Sequence, residues 1–353
     1  MKTAVVVCPG RGTYNKTELG YLGRFHPEKA ALFRQFDARR AALGQQTLAS
    51  LDGSKTYSAR LHASGENASA LIYAATFADF LCIDREQIEI LAVTGNSMGW
   101  YSALACAGAV SPDGGFEIAN TMGALMQRHM IGGQLIYPFV DEEWRDAPEN
   151  KRKLLALVAE INDQSGHQLA LSIDLGGMLV VAGNPLGLSA FEAAAPPLQG
   201  RFPLRLANHA AFHTSLQAPV AAAGRAALAP ELFRPPETPL IDGRGAIWWP
   251  GGVEVDALWD YTLGHQVTET YDFSRAIRVA ALEFAPDLFV IAGPGTTMGG
   301  AVAQSLILCG WRGMRSRADF RDRQASEGVL VSMGMEDQRS AVLLAPGQES
   351  NPR

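Results

Sequence analysis

One segment of the 353-residue chain has residue types and spacing suited to nucleophilic chemistry: Ile88-Glu89-Ile90-Leu91-Ala92-Val93-Thr94-Gly95-Asn96-Ser97-Met98-Gly99-Trp100-Tyr101-Ser102-Ala103-Leu104. Gly95, Ser97 and Gly99 make a G-x-S-x-G pattern. A strand-like apolar run precedes it and a helical run of small residues follows. A sharp strand-to-helix turn strains the backbone at the serine and brings neighbouring chains close, which calls for glycine on both sides. Such a turn exposes the Ser97 hydroxyl at a helix N-terminus, where unpaired backbone N–H groups can hold an oxyanion. The same residues also fit an ordinary glycine turn capped by a serine, and this segment alone does not choose between the two.

A serine hydroxyl needs a base. Of the seven histidines, His26, His62, His129, His167, His209, His213 and His265, local context favours His213. It lies in Asn208-His209-Ala210-Ala211-Phe212-His213-Thr214-Ser215-Leu216-Gln217-Ala218-Pro219. This segment follows a strand, and Pro219 suits the first turn of the next helix. His213 would then sit on a loop at a strand's end, where α/β sites are built. His209 and His213 are four apart, the spacing of a zinc-binding H-E-x-x-H helix. No glutamate lies between them and the segment reads as loop, so no metal is expected and His209 reads as structural or exposed. Gly10-Arg11-Gly12 and Gly293-Pro294-Gly295 also follow strands. Asn15 in the first case, and Pro294 and Met298 in the second, depart from the dinucleotide fingerprint, and neither is a Walker motif.

These segments need a scaffold. Strand-like runs at Val5–Cys8, Ile88–Thr94 and Leu288–Ala292 precede glycine turns, and Phe273, Ile277, Ala281 and Phe284 share one helical face. Strands alternating with helices indicate an α/β fold. The middle reads as strand 134–140, helix 151–161, a hairpin of 169–173 and 178–182 around Gly176-Gly177, helix 188–195 and strand 202–206. That order, βαββαβ, is a ferredoxin-like unit. The expected organisation is a large core of residues 1–130 and 207–353 with a small subdomain, 131–206, inserted. Residues from Gly347 onward are polar and read as frayed. The arginine-rich stretch from Trp311 to Arg323 reads as a solvated surface.

Composition limits the options. Hydrophobic residues are 47% and charged residues 19%, enough for a sizeable core. The net charge of −6 argues against a general nucleic-acid binder, leaving room for a local basic patch. No apolar run approaches the roughly 18 residues of a membrane span. Pro9-Gly10 ends the first apolar run too early for a signal-peptide core, so no membrane partner is expected. Cys8, Cys82, Cys106 and Cys309 are far apart, so neither disulfides nor structural zinc are expected, and a cytoplasmic setting is the default.

Taken together, the motifs resemble those of the malonyl-CoA:acyl-carrier-protein transacylase family and the related acyltransferase domains of polyketide synthases. Cys8-Pro9-Gly10-Arg11-Gly12 resembles F-P-G-Q-G. Gly95-Asn96-Ser97-Met98-Gly99 with Tyr101-Ser102-Ala103-Leu104 is similar to G-H-S-x-G-E-Y-S-A-L. Ala211-Phe212-His213-Thr214 with Pro219 resembles A-F-H-[ST] and its downstream proline, and Ala292-Gly293-Pro294-Gly295 the late V-G-P-G turn. The resemblance implies an α/β-hydrolase-like core with an inserted ferredoxin-like subdomain. It implies Ser97 as nucleophile, His213 as general base and acid, and the backbone N–H groups of Arg11 and Met98 as oxyanion hole. The family orients its histidine with the carbonyl that opens an [NQ]-L-x-x-P-V segment. The nearest match, Thr262-Leu263-Gly264-His265-Gln266-Val267, assigns the backbone carbonyl of Thr262. Also implied are acyl-CoA as substrate, a phosphopantetheinylated acyl carrier protein as partner, and no permanently bound cofactor.

The departures cluster around this site. About 25 positions after the nucleophile, malonyl-specific members carry an arginine that pairs with the free carboxylate; here that position is Met122. Methionine cannot make that charge-assisted contact, so an uncharged acyl group is expected. Arg128 lies six residues on, on the opposite helix face. Asn96 replaces a histidine, Arg11 a glutamine, Trp100 a glutamate, and Met178 a glutamine of the small-domain hairpin. Asn96, Met122, Phe212 and Met178 are the expected pocket residues. Arg11 could offer a charge to a carboxylate or a CoA phosphate. Lys151, Arg152, Lys153, Arg201 and Arg205 are candidates for docking an acidic carrier. An acyl-thioester hydrolase using the same dyad, and a weakly active carrier-docking module, are the alternative functions.

Overall fold

In the computed structural model, residues 1–343 are described. The first apolar run becomes β1 (Lys2–Cys8), buried on both faces from Ala4 onward. A run of valines without alternation is what a central parallel strand requires. It pairs in parallel with β2 (Ile88–Gly95) on one side and β10 (Leu288–Ile291) on the other. With β7 (Leu240–Ile241), β8 (Ile247–Trp248) and β11 (Leu330–Ser332), the sheet order is β11-β10-β1-β2-β7-β8. Only the β7–β8 pairing is antiparallel.

Register decides what meets at the sheet's carboxyl edge. Cys8 is opposite Gly95, and Val7 is opposite Ile291. The Pro9-Gly10-Arg11 loop, the Gly95–Ser97 turn and the Gly293-Pro294-Gly295 turn therefore leave the sheet side by side. In open parallel sheets this edge is where ligands bind. The helix Gly65–Leu81, apolar almost all round, is buried along most of its length and packs against the helix Pro112–Arg128.

The second sheet has the order β6-β3-β5-β4-β9. It comprises β3 (Gly133–Pro138), β4 (Leu169–Leu175), β5 (Met178–Gly183), β6 (Leu204–Arg205) and β9 (Tyr271–Asp272). Helices Pro148–Asn162 and Pro185–Ala194 supply the two crossovers. The first four strands, ordered 4-1-3-2, are the expected ferredoxin-like unit, and it has its own apolar cluster around Leu135, Tyr137, Val158 and Phe191. Two details differ from expectation. The last strand is confined to Leu204–Arg205, since Pro203 has no N–H to give a ladder. And β9, from outside residues 131–206, completes this sheet by pairing in parallel with β4 at Ile173↔Tyr271 and Asp174↔Asp272. The helix Arg317–Glu327 has no buried residue, and Arg312 and Arg323 share Glu327, as a solvated surface requires. The polar tail from Gly347 lies outside the described residues.

One polar feature inside the core has no counterpart in the sequence reading. The buried carboxylate of Asp79 accepts from Tyr21 Oη, the Gly293 N–H and Arg339 Nη1, at 2.7–2.8 Å. His26 Nε2 lies 2.8 Å from the same carboxylate. The Gly293 turn, one of the three that meet at the site, is pinned through this group.

Candidate active site

β2 ends at Gly95 and the helix Gly99–Cys106 begins two residues beyond Ser97. Between them Ser97 adopts φ 56°, a left-handed conformation that costs a non-glycine residue energy. The turn is held by Gly99 N–H donating to Asn96 O (2.8 Å) and Trp100 N–H to Ser97 O (3.0 Å). A Cβ on Gly95 would stand 2.3 Å from Gly99 O, and one on Gly99 would stand 2.2 Å from Cys8 O. Both glycines are thus steric necessities of the elbow packing against β1.

His213, also left-handed at φ 57°, brings a buried imidazole to the serine: Nε2 lies 2.8 Å from Ser97 Oγ. Its Nδ1 lies 2.6 Å from the backbone carbonyl of Gln266. A carbonyl only accepts, so Nδ1 carries the proton and Nε2 offers its lone pair to the serine hydroxyl. Burial pulls the imidazole pKa down to about 4, against a smaller upward pull from the Gln266 hydrogen bond. The ring is therefore neutral at pH 7, the form a general base needs.

The orienting carbonyl is a correction: it belongs to Gln266, not Thr262. Residues Tyr261–His265 form a π-helical turn, whose extra residue per turn changes which carbonyl faces His213. Thr262 is buried elsewhere, its Oγ1 accepting from Trp100 Nε1 at 3.0 Å. Gln266 also ties the site together through its side chain. Its Nε2 donates to Ser97 O (3.0 Å) and its Oε1 accepts from Tyr101 Oη (3.2 Å). The signal was present in Gln266-Val267, which supplies the glutamine and an aliphatic residue; aligning instead on the motif's Pro-Val end selected Thr262.

Of the expected oxyanion-hole donors, the Arg11 N–H lies on the loop after β1 and the Met98 N–H follows Ser97 in the elbow. Among the described residues neither donates to a backbone or side-chain acceptor. Met98 stands at the N-terminal end of the helix Gly99–Cys106, where first-turn N–H groups lack helical partners.

The expected pocket residues separate. Phe212 is buried beside His213, with the Arg11 guanidinium 5.4 Å from its ring centroid. Asn96 is buried with Nδ2 3.8 Å from Met298 Sδ, and its Oδ1 has no partner. Met122 is fully buried; its sulfur fills the space over Gly224, where a Cβ would stand 2.7 Å away. Arg128 is exposed and cannot replace it. Trp100 packs edge-to-face on Tyr261 inside the core, with ring centroids 5.1 Å apart. Met178 lines a cavity of about 580 Å³ with Arg201, Gln304 and Arg317, whose lining includes neither Ser97 nor His213.

His209 has a structural place. Its Nδ1 is 2.7 Å from Gln134 Oε1, Gln134 Nε2 donates to Ser172 Oγ, and Ser172 Oγ donates to Phe212 O. This relay props the loop that carries His213. Burial and then the charge of Arg11 pull the His209 pKa down to about 3.

A strained serine at a strand-to-helix elbow, paired with a neutral histidine held by a main-chain carbonyl, is an arrangement capable of nucleophilic chemistry, and it stands on an α/β core with a ferredoxin-like insert. The fold is that of the malonyl-CoA:acyl-carrier-protein transacylases. The chain is similar to the enzyme of Coxiella burnetii at 18% identity, with 97% of each chain covered and a TM-score of 0.75. It is similar to that of Xanthomonas oryzae at 17% identity, covering 98% of this chain and 99% of the other, TM-score 0.73. A malonyl-transacylase in complex with its type II polyketide synthase acyl-carrier protein matches at 17% identity, covering 97% and 99%, TM-score 0.71. No model of a known protein family matches the chain, and no curated protein sequence does.

Proposed function

We propose that the protein is an acyl-CoA:acyl-carrier-protein S-acyltransferase working through an acyl-serine. The observation that carries this reading is the Ser97 Oγ–His213 Nε2–Gln266 O relay on a strained elbow. His213 Nε2 takes the hydroxyl proton as Ser97 Oγ attacks the thioester carbonyl. The tetrahedral oxyanion is met by the N–H groups of Arg11 and Met98. Collapse breaks the carbon–sulfur bond, and the imidazolium returns its proton to the CoA thiolate. In the second half-reaction His213 deprotonates the carrier's pantetheine thiol, which attacks the acyl-serine, and Ser97 leaves with the proton.

The Gln266 carbonyl orients the ring and supports its charged form without itself taking a proton. On Met122 alone the acyl group would be uncharged; the guanidinium of Arg11 alters that balance. Carrier docking is supported by few free cations. Lys151 pairs with Asp174, Arg152 and Lys153 with Glu149, and Arg205 with Glu192, whereas Arg201 and Arg317 make no ion pair among the described residues. The helices of the described residues include none long and apolar enough to cross a membrane.

The test is a chase. The protein is loaded with acyl-CoA, freed of excess donor and mixed with a holo carrier protein. Transfer of the acyl mass to the carrier, faster than release of free acid, is expected. Decay to free acid at a rate indifferent to the carrier would replace transferase with hydrolase.

A further inference from the structure

The β1 loop delivers an arginine whose charge nothing in the described protein answers. Nη2 of Arg11 donates to Ala63 O (3.0 Å) and Asn208 O (2.9 Å). Nε and Nη1 are shut off from solvent and have no partner. No carboxylate of the described residues forms an ion pair with it, and burial alone pulls its pKa down, to about 10. Its neighbours are the Phe212 ring and neutral His209, so the cation sits against an apolar face and an uncharged imidazole. A buried cation without an anion is costly, and so are buried N–H donors without acceptors.

Position gives that cost a purpose. Gly10, the residue before Arg11, packs on the elbow, where a Cβ would stand 2.6 Å from Asn96 O, and the Arg11 side chain lies over Phe212, the residue before His213. On the acyl-transfer reading, one residue presents an N–H to the thioester carbonyl and a guanidinium to the wall beside the base. The CoA phosphates are held far from the thioester by the pantetheine arm, so the anion within reach of this guanidinium is on the acyl group. Met122, at the position where malonyl-specific members carry an arginine, is sealed against Gly224.

Resting on the acyl-transfer reading, we infer that Arg11 is the residue that selects the acyl group, and that it selects a short acyl chain ending in a free carboxylate. The unpartnered Nε–H and Nη1–H groups supply the charge-assisted hydrogen bonds. Recognition of a carboxylate thus comes from the β1 loop rather than from the helix Pro112–Arg128. This reverses the expectation of an uncharged substrate that Met122 alone suggests.

The test uses donors without phosphates. Malonyl and acetyl thioesters of N-acetylcysteamine, with the CoA esters in parallel, are given to the full chain, and the initial rate of acyl-enzyme formation is read by intact mass. The wild type should load malonyl in preference to acetyl from both carriers. Arg11→Gln keeps a residue of similar reach and an intact backbone N–H; it should lower the malonyl-over-acetyl ratio about tenfold to a hundredfold. Arg11→Lys, which restores the charge, should recover part of the ratio.

Equal loss for both acyl groups with an unchanged ratio would overturn the inference and give Arg11 a structural role. Loss confined to the CoA esters would overturn it in favour of a phosphate contact. A wild type that prefers acetyl would overturn it while leaving the acyl-transfer reading standing. No adduct from any donor would overturn that reading first, and the inference with it.

Discussion

Replacing Gln266 with methionine removes an amide of similar size and leaves the main-chain carbonyl that faces His213. Two contacts are lost, the 3.0 Å donation to Ser97 O and the 3.2 Å acceptance from Tyr101 Oη. Ser97 O keeps its bond from the Trp100 N–H, so that loss costs about 1 kcal/mol. Tyr101 Oη is buried and its hydroxyl is left unpaired, which costs roughly 1–3 kcal/mol more. Unfolding free energy should fall by about 2–4 kcal/mol. The elbow also loses its tie to the segment that orients the base. A displacement of even ~1 Å can cost about a hundredfold in rate, so acyl-enzyme formation should slow by roughly tenfold to a hundredfold.

Thr262→Val is the control. It leaves the Trp100 indole N–H unpaired, at a similar cost in stability, but touches neither Ser97 nor His213. Its acylation rate per folded molecule should stay within a few-fold of wild type. The assays are denaturant unfolding and quenched-flow intact mass. If Gln266→Met loads at the wild-type rate, or if Thr262→Val is the slow variant, the placement of Gln266 at the centre of the relay is wrong.

Four further outcomes are expected. The acid limb of the acylation rate should report the free His213 and fall near pH 4 rather than near 6.5, since burial depresses its pKa. A limb near 6.5 would show an exposed, ordinary histidine. Because His213 and His209 are both depressed when folded, the unfolded chain binds more protons below pH 6.5. Their contribution to stability is therefore complete above 6.5 and is lost as pH falls towards 4, which denaturant titrations at stepped pH would show. Gly99→Ala forces a methyl to within 2.2 Å of the Cys8 carbonyl, so it should cost about 1–3 kcal/mol or more and abolish acylation, read by unfolding and adduct yield. Asp79→Asn leaves Arg339 without its carboxylate and should cost about 3–5 kcal/mol; wild-type unfolding would remove Asp79 from its place as anchor of the Gly293 turn.

What the sequence made legible was short-range or strongly patterned. Val5–Cys8 and Leu288–Ala292 read as strands because they are apolar without alternation, and the elbow because glycine spacing encodes a steric demand. The βαββαβ order of the insert was readable because each of its elements announces itself locally. What was hidden depends on contacts far apart in sequence or on local irregularity. Nothing near Thr262 signals a π-helical turn, and aligning on the motif's Pro-Val end placed the orienting carbonyl four residues too early. The two-residue strand β9 is specified by pairing with β4, with almost no pattern of its own. Asp79 gathers partners up to 260 residues away. Met178 was placed in the pocket by its motif, yet the hairpin directs it to a cavity whose lining lacks the dyad. The burial of the Arg11 guanidinium without a counter-charge is likewise a property of the folded loop alone.

The central claim is that Ser97 carries the acyl group. The direct measurement is intact mass, followed by peptide mapping, after brief exposure of wild type, Ser97→Ala and His213→Ala to malonyl-CoA, acetyl-CoA and longer acyl-CoAs. The account predicts a single acyl adduct on the peptide containing Ser97, none in Ser97→Ala, and formation slowed by a hundredfold or more in His213→Ala. Absence of any adduct in wild type, or an adduct that survives Ser97→Ala, would contradict it.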